Sequence, residues 1–118
     1  MTNAYYRSAV GALLLFDCTR QETFENISKW LKELKEYADK DIVVLLVGNK
    51  IDLKKLREVQ REEASSFAEK NGLAYIETSA LAATNVDLAF ERVINGKSSE
   101  LIVFRNSWAH GNETKIRH

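Results

Sequence analysis

The stretch Val43-Val44-Leu45-Leu46-Val47-Gly48-Asn49-Lys50-Ile51-Asp52 constrains this chain more than any other. A short apolar run rich in β-branched residues stops at a glycine and passes directly into Asn-Lys-x-Asp. Such a run reads as a buried parallel strand. Its polar continuation therefore sits just past a carboxyl end, where open α/β sheets hold their ligands.

The residue types narrow what that ligand is. An ionised carboxylate only accepts hydrogen bonds, so Asp52 can receive two adjacent N–H donors. Guanine presents such a pair on one edge, at N1 and the 2-amino group, and adenine does not. Charge-assisted bonds of this kind contribute about 1.5–3 kcal/mol each. The Asn49 amide can reach the base N7 or brace the neighbouring loop. Lys50 has an aliphatic stem that can lie along the base face with its ammonium in water. The plainer alternative is a polar loop that happens to spell these residues.

A second segment repeats the arrangement. Leu73-Ala74-Tyr75-Ile76 alternates as a strand does and ends in Glu77-Thr78-Ser79-Ala80-Leu81. Two such loops at the ends of neighbouring parallel strands would lie side by side. The Ala80 N–H could then donate to guanine O6, and the Ser79 hydroxyl could steady the Asp52 carboxylate. Thr78 and Ser79 also read as ordinary turn or capping residues.

The rest of the pattern supplies the scaffold. Val10 to Asp17 is a continuous apolar run and a buried strand. Thr19 and Glu22 are spaced for a capping box, and Phe24, Ile27, Leu31, Leu34 and Ala38 form the stripe of an amphipathic helix, with Trp30 beside it as packing. Leu53 to Glu58 is a charged loop whose mixed signs read as solvated surface. Arg61 to Asn71 is a helix with Ala64, Phe67 and Ala68 inward, a weak N-cap at Gln60 and Gly72 as its terminator. Val86, Ala89, Phe90, Val93 and Ile94 mark a last helix. Leu101 to Phe104 has strand character, and Trp108 to His118 reads as polar and irregular. Strand-helix, three times over, implies an α/β fold with a parallel sheet. The expected strands lie at about 10–17, 42–48 and 73–77, and the helices at about 22–39, 61–71 and 85–95.

Composition excludes several classes. Seventeen basic and seventeen acidic side chains cancel, which gives no electrostatic case for nucleic acid or an anionic membrane surface. No apolar run reaches transmembrane length, and no secretory signal is visible, so a cytoplasmic location is expected. Lone Cys18 suits a reducing compartment and is expected to pack at a strand end. His110 and His118 are too isolated to suggest a metal site or a catalytic dyad.

Taken with the start Ala4-Tyr5-Tyr6-Arg7-Ser8-Ala9-Val10-Gly11-Ala12, these motifs make the chain resemble the carboxyl-terminal part of a Rab-type small GTPase of the Ras superfamily. Trp30-Leu31-Lys32-Glu33-Leu34, Phe67-Ala68-Glu69-Lys70-Asn71-Gly72-Leu73 and Thr84-Asn85-Val86 are similar to the Rab-eleven subclass. The resemblance implies a partial Ras-like P-loop NTPase fold, GTP or GDP as ligand, Mg²⁺ in the family, and work in vesicle and endosomal traffic. It implies guanine binding by Asn49, Lys50, Asp52, Ser79, Ala80 and Leu81. Rab effectors and regulators are the implied partners, and family members associate with endosomal and Golgi membranes.

The resemblance also sets expectations about what is missing. No Gly-x-x-x-x-Gly-Lys-Ser/Thr occurs among the 118 residues, and a P-loop needs that pattern to cradle phosphates and Mg²⁺. Neither the switch-region threonine nor the Asp-x-x-Gly segment is found. No catalytic or metal-ligating residue is therefore assigned, and base contacts alone would give about −4 kcal/mol, a millimolar affinity. The expected organisation is a truncated Rab-like G domain at 1–95 and a divergent tail at 96–118 with no prenylation cysteine. In a Ras-like sheet the strand at 10–17 neighbours the P-loop strand, so its edge is expected to be open, inviting self-association. Two other classes remain: a non-hydrolysing Rab-like module that binds traffic regulators, and an unrelated doubly wound, receiver-like domain.

Overall fold

The computed structural model describes residues 9, 11–49, 53–78, 101–107 and 112–117. Along the chain run β1 (Gly11–Asp17), α1 (Gln21–Tyr37), β2 (Val43–Asn49), a 3-10 turn (Lys54–Leu56), α2 (Arg61–Lys70), β3 (Ala74–Thr78), β4 (Leu101–Ser107) and β5 (Asn112–Arg117). They form one sheet in the order β3-β2-β1-β4-β5. The first four strands are parallel, and β5 runs antiparallel to β4. The three strands and the first two helices expected from sequence are present. The helix expected at 85–95 lies outside the described residues.

Every residue of β1 is buried, as a central parallel strand requires when both faces are covered. Ala12, Leu14 and Phe16 face one side and join Phe24, Ile27, Trp30 and Leu34 of α1, Ala64 and Ala68 of α2, and Leu46, Ile102 and Phe104 of the neighbouring strands. Leu13, Leu15, Leu45, Val47 and Val103 alternate onto the other face and are buried too. α1 and α2 touch through Phe24 and Phe67, whose ring centroids lie 5.5 Å apart. Trp30 is fully buried, as its packing role requires, 5.6 Å from the Phe104 ring.

Helix ends show where local signals hold and where they yield. α2 has no side-chain cap at Gln60. At its other end Leu73 N–H bonds Ala68 O at 2.8 Å and Gly72 N–H bonds Glu69 O at 3.3 Å. This is a Schellman pair around Gly72, whose φ of 69° suits glycine. The capping box expected from Thr19 and Glu22 does not form: α1 begins one residue after Arg20, without a side-chain cap from that residue. The Thr19 hydroxyl instead donates to Asp17 Oδ1 at 2.6 Å, Glu22 pairs with Arg20, and the Gln21 N–H is met by Glu58 Oε1 at 2.8 Å. A carboxylate distant in sequence has taken the cap's place, favoured there by the helix dipole.

Two expectations about the carboxyl-terminal segment are corrected. β1 does not have an open edge, because β4 pairs with it from Gly11↔Leu101 to Leu14↔Phe104. The self-association expected from that edge loses its premise at β1. Residues 112–117 are not irregular but form β5, paired with β4 from Ile102↔Arg117 to Ser107↔Asn112. Alternating Glu113, Lys115 and Arg117 read as loop because they are charged, yet charged residues are what an outermost strand carries.

If β4 is a full member of the sheet, its anchor is Phe104. Phe104→Ala is expected to lower unfolding stability by about 3–5 kcal/mol, measured by denaturant titration. A change within about 0.5 kcal/mol, the range typical of surface substitutions, would mean that β4 is not docked on β1.

Candidate guanine-binding site

Sheet register brings the strand ends together. Asp17 is the partner of Asn49 and Asn49 of Thr78, so β1, β2 and β3 finish in line. The segments beginning at Lys50 and Ser79 consequently leave from adjacent points at the carboxyl edge. Of the residues expected to contact a base, Asn49 is described, at the last position of β2. Lys50, Asp52, Ser79, Ala80 and Leu81 lie outside the described residues.

Asn49 is unusual in its surroundings. It is 4% exposed, and its Oδ1 has no hydrogen-bond partner among the described residues. Its backbone oxygen accepts from Cys18 N–H at 3.0 Å, tying the end of β2 to that of β1. A buried polar atom without a partner costs about 1–3 kcal/mol, and such atoms in folded proteins call for a reason.

The end of β1 is built as a polar turn. Asp17 Oδ1 accepts from the Thr19 N–H at 2.8 Å, and the Asp17 N–H donates to Thr23 Oγ1 at 2.9 Å. The Thr23 hydroxyl lies 2.8 Å from Arg20 O, so the first turn of α1 is fastened to the strand it follows. Cys18 is buried and free, as expected at a strand end. Burial is the main force raising its thiol, pushed up to about 11, although the Arg57 charge opposes the shift. It stays a thiol at neutral pH, which leaves it a packing group.

Beside this edge lies a cluster that the sequence did not disclose. The Arg57 guanidinium spans both Glu77 carboxylate oxygens, with Nη1 at 3.4 Å from Oε1 and Nη2 in short contact with Oε2. Arg57 Nε donates to Val59 O at 2.6 Å, and the Tyr75 hydroxyl donates to Glu77 Oε2 at 2.5 Å. The Arg57 and Glu77 side chains are 14% and 7% exposed, so water screens the pair poorly. Burial alone would raise the Glu77 carboxyl, but the bonds from Arg57 and Tyr75 outweigh it and hold it below the usual range. Burial and the bond to Glu77 raise the Tyr75 hydroxyl. Leu53 to Glu58 is therefore not simply solvated surface: Leu53 and Leu56 are exposed, while Arg57 turns inward and Glu58 caps α1. Mixed charges concealed this, because nothing local marks which arginine meets a strand-borne glutamate.

Gly48 makes the cluster sterically possible. A Cβ there would sit 2.6 Å from the Tyr75 hydroxyl oxygen, 3.0 Å from Phe16 Cζ and 3.2 Å from Cys18 Sγ. Tyr75 cannot retreat freely, since Glu77 holds its hydroxyl. The glycine that ends the apolar run thus admits the tyrosine.

Glu77 gives the site a pH signature. Its folded pKa is depressed below the ordinary 4.5, so its contribution is present above that value and lost as pH falls towards the folded one. Glu77→Gln is expected to lower neutral-pH stability by about 1.5–3 kcal/mol and to flatten the loss below pH 4.5, measured by unfolding at stepped pH. An unchanged acid limb would assign that loss to other carboxylates.

Among the described residues no group of three or more histidine, cysteine or acidic side chains is placed to hold a metal ion, and no helix is long and apolar enough to cross a membrane. Residues 1–99 match the Ras family. The chain is 58% identical over 94 residues to the Ras-related protein YPTC6 of Chlamydomonas reinhardtii. It is 58% identical over 95 residues to the Ras-related protein RABA2a of Arabidopsis thaliana, and 56% identical over 94 residues to the GTP-binding protein ypt3 of Schizosaccharomyces pombe (strain 972 / ATCC 24843). Each match takes in 80% of this chain and 44% of the relative, so the chain spans less than half the length of these relatives. The match removes the receiver-like reading. Sheet order, strand-end register and these relatives agree: the chain belongs to the Ras family, in its Rab-type branch.

Proposed function

We propose that this chain reads the guanine base of GTP or GDP through Asn49, Lys50, Asp52, Ser79, Ala80 and Leu81. The observation that carries the reading is Asn49, buried at the aligned strand ends with its side-chain carbonyl unpartnered among the described residues. One relative's name, the GTP-binding protein ypt3, supports the same ligand. In this account Asp52 selects guanine by taking its two edge donors, the Ala80 N–H meets O6, Ser79 steadies Asp52, and Lys50 and Leu81 flank the base. Asn49 turns its amide to N7 or to the adjoining segment.

Phosphate, Mg²⁺ and hydrolysis have no assigned residues in this reading, which therefore concerns base recognition. Work in vesicle and endosomal traffic, a Rab-eleven-like specialisation, and effectors or regulators as protein partners are what the sequence resemblance implies, and they belong to the same proposal.

Titration of labelled GDP into the chain, with and without Mg²⁺, tests it. The expected result is millimolar binding, about −4 kcal/mol, alike with and without Mg²⁺, competed by guanosine but not adenosine and abolished by Asp52→Ala. Equal competition by adenosine would overturn base selection. Micromolar, Mg²⁺-dependent binding would overturn the restriction to base contacts.

A further inference from the structure

β2 and β3 end at the residues from which the two base-reading segments depart, and one side-chain cluster links both to the connection between β2 and α2. Arg57 belongs to that connection, Glu77 immediately precedes the last residue of β3, and Tyr75 lies on the same strand. Tracing the bonds closes a circuit. Asn49 O accepts from Cys18 N–H at 3.0 Å, and Cys18 O accepts from the N–H groups of Glu58 and Val59 at 2.8 and 2.9 Å. Val59 O accepts from Arg57 Nε, Arg57 grips Glu77 through both guanidinium nitrogens, and Tyr75 holds the second side of the carboxylate. β3 returns to β2 through the register pair Asn49↔Thr78. Arg61 approaches Glu77 at 3.8 Å, but its side chain is 72% exposed and adds little.

We propose that Arg57, Glu77 and Tyr75 are positioning residues for guanine. They fix the ends of β2 and β3, and the connection at Arg57 to Val59, relative to one another, and thereby set how long a base is retained. The proposal rests on the guanine reading above and adds the group that makes it rigid. The connection from β2 to α2 is anchored at Asn49 on one side and at Arg57, Glu58 and Val59 on the other. Fixing these anchor points before the ligand arrives removes part of the entropy loss on binding. The fork geometry matters: two parallel bonds fix the angle between the connection and β3, which a single point charge does not.

The test uses the full chain with Tyr75→Phe, Glu77→Gln and Arg57→Lys, and Phe104→Ala as a control that weakens the core at β4, on the other side of β1 from β2 and β3. Two quantities are read: amide hydrogen exchange in residues 50–58 and 79–81, and the dissociation rate of labelled GDP. The cluster variants are expected to speed exchange in both segments while leaving β1 and α1 protected. They should also release GDP faster, about tenfold for Glu77→Gln, equivalent to about 1.4 kcal/mol. Tyr75→Phe, which deletes only a hydroxyl and is the variant least able to prevent folding, is expected to shift both readouts in the same direction. Phe104→Ala should lower global stability and leave both unchanged. Unchanged exchange in the two segments, faster exchange without faster release, or equal effects from Phe104→Ala would each overturn the proposal. If the wild-type chain binds no guanine ligand, the guanine reading fails by itself. Exchange then decides the positioning claim: coupled loosening of both segments upholds it, and its absence overturns it.

Discussion

Parallel register is the constraint on which the rest of this molecule depends. Because Asp17, Asn49 and Thr78 are successive partners across three strands, two segments far apart in sequence leave the sheet as neighbours. A slip of one residue would turn Asn49 to the opposite face and separate Gly48 from Tyr75. The register is held by burial: β1 is covered on both faces, and its side chains alternate between the α1–α2 layer and the opposite side. Hydrophobic patterning, not the polar residues, therefore places the site.

The polar residues then refine what the sheet positions. Asn49 contributes a buried amide, and the Arg57–Glu77–Tyr75 cluster braces the connection beside it. A buried ion pair is weak evidence for added stability, since desolvation opposes its attraction. Its use here is geometric, because the charges are met by directed bonds from a guanidinium fork and a phenol. Gly48 links the two levels: it ends the apolar run and gives Tyr75 the space to reach Glu77.

Much of this was legible in the residues themselves. The apolar runs marked β1 and β2, the stripe from Phe24 to Leu34 marked α1, and Gly72 marked the end of α2. These signals are local, and local physics preserved them. What the sequence concealed is nonlocal. Thr19 and Glu22 had capping-box spacing, but Glu58 supplied the carboxylate and Thr19 turned to Asp17. Arg57 looked like solvated surface until Glu77 was brought opposite it. β5 carried no apolar pattern of its own, and its strand character comes from pairing with β4. In the candidate site, residue types carry the expectation of base reading, while only the fold revealed that Asn49 is buried and that Arg57, Glu77 and Tyr75 cluster beside the strand ends.

The central claim is that the aligned ends of β2 and β3 present one guanine-selective surface. Chemical-shift mapping of the isotopically labelled chain with guanosine, and separately with adenosine, tests this most directly. The account predicts guanosine-dependent shifts concentrated at Gly48 to Asp52 and Thr78 to Leu81, with no matching response to adenosine. Equal responses to both nucleosides, or guanosine shifts confined to other parts of the sheet, would contradict it.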